Sequence, residues 1–213
     1  MKITFLKTAM GAILLSGFIL AGCQKDHTII NNPPTTIDSS KITVQYNPSF
    51  NLSNYSTIAV SDSVLSAGTS DTFELNSTEA VYVQAFKDSL AVKGLNVVAF
   101  TSNPDLVLNV TRISNTSNGV IDSTGYWNNY STRYNPSLYG LGNATYTNSF
   151  TSANSVGTGV LSFELLDLKN ATATNQISIL WNGQVSGSQL FQTESLARNI
   201  VGILLEKTPL HNP

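Results

Sequence analysis

One thiol, two imidazoles and thirteen carboxylates are what this 213-residue chain has for covalent or acid–base chemistry. The thiol is Cys23, at the end of an apolar run. The imidazoles are His27, in a proline-containing stretch near the start, and His211, the third residue from the end. A Ser–His–acid relay needs an imidazole held rigidly against its partners, and neither histidine lies in a segment with a core pattern. No His, Cys, Asp and Glu cluster has metal-ligand spacing, and no Gly-rich phosphate loop or dinucleotide fingerprint is present. Neither metal nor cofactor is therefore expected. A paired-carboxylate glycosidase needs only two acids at the right separation. The acids in apolar context are Asp105, Glu164 and Asp167. Asp105 follows Pro104 as a strand-start residue, Asp167 ends a strand, and Glu164 lies on the polar face opposite Phe163. The expectation is a chain that is not an enzyme, with a carboxylate-dependent hydrolase ranked behind any binding role.

Cys23 has a context of its own. Lys2 and Lys7 precede a short apolar stretch from Ala9 to Ala21, too short for a transmembrane helix, which needs about 20 apolar residues. A positive start, a short apolar core and small residues at its end describe a secretory signal. Leu20-Ala21-Gly22-Cys23 resembles the bacterial lipobox at all four positions. That resemblance implies cleavage before Cys23 and acylation of the cysteine. Each buried methylene adds roughly 0.8 kcal/mol, so three chains on one residue make a near-permanent anchor in a lipid bilayer. With its one cysteine lipidated, the chain has no disulfide framework. Gln24 after the cysteine, rather than Asp, points to the outer membrane over the inner.

The segment GYWNNYSTRYNPSLYGLGNATYTNSF, residues 125–150, is the other unusual feature. It holds Tyr126, Trp127, Tyr130, Tyr134, Tyr139, Tyr146 and Phe150, with Arg133 its one charge. Tyr and Trp among Asn and Ser is a composition of adaptable recognition surfaces. Aromatic faces plus amide hydrogen bonds suit a sugar ring or another small ligand, with Tyr126, Trp127, Tyr130, Arg133, Tyr134 and Tyr139 as candidate contacts. The competing reading is a long insertion that packs its aromatics on a sheet. Trp181 reads as a core residue on a strand. Asp62-Ser63-Val64 and Asp122-Ser123-Thr124 resemble a short O-glycosylation signal of Bacteroidota envelope proteins.

The elements that must position these residues divide the chain into three. Residues 1–22 are the leader. Residues 23–41 are the lipidated cysteine and a flexible tether, which spans roughly 20–25 Å. Residues 42–213 form one domain, with 125–150 as an insertion. Ile42, Val44 and Tyr46 alternate as a strand does, and STIAVSD is a second strand. Residues 62–76 read as irregular. Asn76 or Ser77 caps a helix carrying Tyr82, Val83, Phe86 and Leu90, which Lys93-Gly94 stops. LNVVAF, DLVLNVTRI, VLSFELLDL and ISILWNGQVSG read as strands. In the last, Ile177, Ile179, Trp181 and Val185 are expected on one face. KNATATNQ is a hairpin loop. Thr193 caps a final helix with Leu196, Ile200, Ile203 and Leu204 as its apolar stripe, and Pro209 stops it. The pattern predicts an α+β two-layer sandwich: a mostly antiparallel sheet of about five to six strands with two helices on one face. Net charge is −2, and about −4 once Lys2 and Lys7 leave with the leader. That balance argues against nucleic acid, which demands a basic patch.

The landmarks resemble, in order, a bacterial lipoprotein family called domain of unknown function 4136. They are YNPSFNLSNYSTIAV at 46–60, Lys93-Gly94, Pro104-Asp105-Leu106, Tyr126-Trp127, Leu165 to Asp167, and Trp181-Asn182-Gly183. Asn47 stands where the family has Asp, Val60 where an aromatic is common, and KTPL where it ends in Phe-Pro-Pro. The resemblance implies a fold class and an envelope location, and brings no catalytic residue with it. The expected protein is a membrane-anchored envelope lipoprotein with a structural, assembly or partner-binding domain. The alternative is a glycan- or small-ligand-binding module that uses 125–150. Its partners would be the bilayer through Cys23 and an envelope protein or glycan.

Overall fold

The computed structural model describes residues 37, 41–67, 72–113, 120–121, 123–148, 150, 156–157, 160–187 and 193–208. The leader, Cys23, His27, Asp122, Pro209 and His211 lie outside the described residues.

The strands are β1 (Ile42–Tyr46), β2 (Thr57–Val60), β3 (Val64–Ala67), β4 (Thr72–Glu74), β5 (Asn96–Val97), β6 (Leu106–Ile113), β7 (Val120–Ile121), β8 (Thr145–Asn148), β9 (Val156–Gly157), β10 (Val160–Asp167) and β11 (Gln176–Ser186). The helices are α1 (Ser77–Val92), α2 (Ser123–Asn128), α3 (Tyr130–Arg133), α4 (Ala171–Thr174) and α5 (Glu194–Glu206). Among the described residues, nine strands form one open sheet with a backbone order β1-β11-β10-β6-β2-β5, and β7 pairs with β9 apart from it.

This corrects the expected sandwich of five to six antiparallel strands with two helices. The centre, β1-β11-β10-β6, is antiparallel. Beyond it the pairing turns parallel: β2 and β3 run end to end along β6, β5 lies along β2, and β8 lies along β11. Parallel neighbours need a crossover, and α1 supplies one between β2 and β5. Residues 62–76, read as irregular, hold β3 and the short β4 that pairs with it. The expected hairpin loop at 169–176 carries α4.

One face of the sheet is covered by α1 and α5. Asn76 accepts from the Thr78 and Glu79 amides at 3.1 and 2.9 Å, and the Glu79 carboxylate accepts from the Asn76 amide. That reciprocal cap starts α1. Gly94, at φ +93°, lets the chain leave it. Thr193 caps α5 as expected, accepting from the Leu196 amide. Tyr82, Phe86, Ile200 and Leu204 pack onto Ile58, Leu108, Phe163 and Trp181. Phe86 and Phe163 rings lie 4.7 Å apart. Trp181 is buried, its indole N–H donating to Thr208 Oγ1 at 2.7 Å. Gly183 follows from this: a Cβ there would run into the Trp181 ring and stand 2.9 Å from Leu204 Cδ2. The Trp-x-Gly spacing is thus a packing requirement.

The other face is buried as well, which a two-layer reading does not foresee. The β10–β11 register shifts at Leu165/Leu166, where Leu180 is an extra residue. A bulge moves the following residues to the opposite face. Ile177 and Ile179 therefore enter a second core, while Trp181 and Val185 stay in the first. The expectation of one face for all four residues fails for that reason.

Candidate functional site

The second face carries a polar strip through its middle. Strand register sets Asn109 of β6 opposite Glu164 of β10, and Glu164 opposite Asn182 of β11. Thr111 and Ser162 are the next pair along. All five are buried, and Glu164 is 0% exposed. Over the strip lies the segment 125–150. Tyr126 of α2, Tyr130 of α3 and Tyr134 follow one another at four-residue spacing, so their rings descend on one side. The Tyr130 ring lies 6.0 Å from Tyr126, 5.0 Å from Tyr134 and 4.9 Å from Tyr146.

The ring edges supply what the strip lacks. Tyr126 donates to Glu164 Oε1 at 2.7 Å, and Ser162 Oγ donates to the same oxygen. Thr111 Oγ1 is 3.3 Å from Oε2, and Asn182 Nδ2 is 3.4 Å from Oε1. Asn109 donates to Tyr130 and Tyr139 at 2.9 and 2.7 Å, and Tyr134 donates to the Val110 carbonyl at 3.0 Å. Burial pushes the Glu164 carboxyl up to about 7, against the pull of the Ser162, Tyr126 and Thr111 hydrogen bonds and the Arg133 charge. The same burial, with Glu164 beside them, holds the Tyr126, Tyr130 and Tyr134 hydroxyls well above their ordinary range.

The six residues expected to contact a ligand therefore occupy different places. Tyr126, Tyr130 and Tyr134 are buried in the second core, the packed alternative. Trp127 is half-buried against Tyr126, Tyr130 and Phe150. Arg133 lies over the Tyr126 ring at 5.6 Å. Tyr139 alone of the six stands between two clefts. Its turn, Pro136–Tyr139, is built by local chemistry: Asn135 accepts from the Ser137 amide, Pro136 starts it, and Gly140 at φ +74° ends it.

The larger cleft, about 600 Å³, runs between that turn and residues 100–105, with Leu168, Lys169 and Thr172 on its far side. The smaller, about 320 Å³, reaches Ser61, Ser63, Phe73, Asn109 and Tyr134. Phe100, Leu138 and Tyr139 line both. The Phe100 and Tyr139 rings stack at 6.3 Å and 23°. Leu138 is 57% exposed and Phe73 47%. Phe100, Phe73 and Leu138 were not legible as site residues, because each comes from a different turn or edge. The polar strip left a signal: Asn109, Thr111, Ser162, Glu164 and Asn182 alternate with apolar residues, which reads as a solvated face until another segment covers it.

The other two acids in apolar context, Asp105 and Asp167, are held by hydrogen bonds. Asp105 accepts from the Ser56 and Thr57 amides at 2.7 and 3.3 Å. Asp167 accepts from Tyr55 and from the Asn170 amide, each at 3.0 Å. Among the described residues no group of three or more His, Cys, Asp and Glu could hold a metal ion, and no helix is long and apolar enough to cross a membrane.

An open mixed sheet with helices on one face and a tyrosine-capped polar strip on the other defines a mixed α/β domain. The chain belongs to the family described as domain of unknown function (DUF4136), which matches residues 42–207. A crystal structure of a DUF4136 family protein from Bacteroides thetaiotaomicron VPI-5482 is similar at 19% identity and TM-score 0.63, covering 79% of this chain and 95% of that one. The PelC dodecamer from Paraburkholderia phytofirmans aligns over 80% of this chain and 99% of that one, at 15% identity and TM-score 0.38, too distant to carry an argument. No curated protein matches the chain.

Proposed function

We propose that this chain is a lipid-anchored domain of the bacterial envelope, held at the outer membrane through Cys23, that works by binding and not by catalysis. The observation that carries the binding reading is the division of labour within 125–150. Its inner tyrosines are consumed by the sheet, while Leu138 and Tyr139 form a wall open to clefts on both sides. The absence of catalysis is supported by the state of the acids: Glu164 is sealed under Tyr126, Asp105 holds the Ser56 and Thr57 amides through one oxygen, and Asp167 is engaged by the Asn170 amide and Tyr55. The anchoring is supported by the lipobox-like Leu20–Cys23.

Two measurements test this. Labelled palmitate should enter the wild type and not Cys23→Ala; equal labelling ends the anchor. A photo-crosslinking residue at Leu138 should capture a discrete envelope component in cells, and one at Val92, 89% exposed on α1, should not. Equal capture at both positions, or none at Leu138, removes the binding reading.

A further inference from the structure

Resting on that reading of the clefts, we infer that their ligand is a neutral oligosaccharide chain laid across the Leu138–Tyr139 wall. The first ground is charge. The larger cleft carries one carboxylate, Asp105, and one ammonium, Lys169, so its charges balance, and in the smaller cleft Asp62 pairs with Lys87 at 2.6 Å. Neither cleft offers an excess of one sign to an ionic ligand.

The second ground is surface chemistry. Phe100, Leu138 and Tyr139 give apolar faces, and Thr101, Asn103 and Thr172 in the larger cleft and Ser61 and Ser63 in the smaller give hydroxyls and an amide. A pyranose presents the same pair of features, C–H faces and a rim of hydroxyls, and the aromatic wall with nearby polar groups is complementary to it. The third ground is shape. A single compact ligand would occupy one cleft; two clefts sharing one wall suit a chain of rings that passes over it. The rims are turns, at 61–63, Phe100–Ser102 and Pro136–Tyr139. Turns offer no run of main-chain partners to an extended peptide, which binds best along a strand edge.

The test is calorimetric titration of the full chain in detergent with hexamers of β-1,4-glucose, α-1,4-glucose, β-1,4-N-acetylglucosamine and α-1,6-mannose, with a peptide array in parallel. At least one hexamer should bind saturably. Thr172→Trp, which fills the larger cleft, and Leu138→Lys should each weaken it by roughly tenfold or more with melting temperature unchanged. Raising NaCl about tenfold should leave the affinity within about a factor of two, since no charge pairing is screened. The inference is overturned if no hexamer binds, if both variants bind as wild type does, or if binding collapses with salt. Peptides captured in place of sugars, and lost in Leu138→Lys, also overturn it while leaving the binding function standing. The Leu138 crosslink failing at the same time takes both away.

Discussion

The two faces of the sheet are both packed against other elements, yet they are held by different physics. On the helix face, α1 and α5 bury a continuous apolar core in which Phe86, Phe163 and Trp181 touch ring to ring. Non-directional apolar burial dominates there. On the other face, tyrosine rings contribute area, but their hydroxyls end on Glu164, Thr111 and Asn109. A buried polar network must be satisfied throughout, because each orphaned group costs its full desolvation. The helix face should thus be damaged mainly by lost volume, its pH sensitivity confined to Glu79 of α1. The tyrosine face should be sensitive to pH and to single hydrogen-bond deletions that change almost no volume.

The largest expected effect tests the volume half of that contrast. Phe86→Ala should lower unfolding free energy by about 4 kcal/mol in urea titrations, at any pH between the carboxylate and tyrosine ranges. A loss under half of that would mean α1 is less central to the core than its contacts indicate.

Next in size is pH. The Glu164 carboxyl titrates near 4.5 when exposed and at about 7 when folded. As pH rises through that window the unfolded chain gives up its proton first, so stability falls by about 3 kcal/mol and then levels off. Glu164→Gln keeps an acceptor oxygen without the titration. Its stability profile should flatten, leaving a residual slope from Glu79, also raised by burial. A wild-type profile that is flat or rises from pH 5 to 7 would contradict the account of this face.

Tyr126→Phe should cost about 2 kcal/mol although it removes one oxygen, because Glu164 loses its shortest ordinary donor. It should also move the pH transition upward, and its cost should not add to that of Glu164→Gln. Strict additivity would show the two side chains to be uncoupled. Smallest is Asn76→Ala, which removes the α1 cap and should cost about 1 kcal/mol by thermal melting. A larger loss would mean that the helix layer depends on local caps as much as on packing.

Much of the helix face was legible in the sequence. The α1 and α5 stripes, their caps Asn76 and Thr193, and the β1 and β6 alternations depend on neighbours within a few residues, and they appear where the pattern places them. Leu180 shows where that stops. A one-residue bulge has no local signature in a run of β-formers, yet it moves Ile177 and Ile179 to the other core. The candidate site was half legible. The composition of 125–150 marked it as special, but which of its rings are buried depends on a polar strip contributed by β6, β10 and β11.

By itself the sequence determined the two long helices, the order of the main strands, the family landmarks and the singular position of Cys23, all written in short-range spacing. The tertiary structure alone decided that the polar side of β6 and β10 is an interior, that Glu164 sits inside it, and that Leu138 and Tyr139 are what the aromatic segment leaves open. Those outcomes turn on strand register and on packing between residues tens of positions apart, and no local period encodes either.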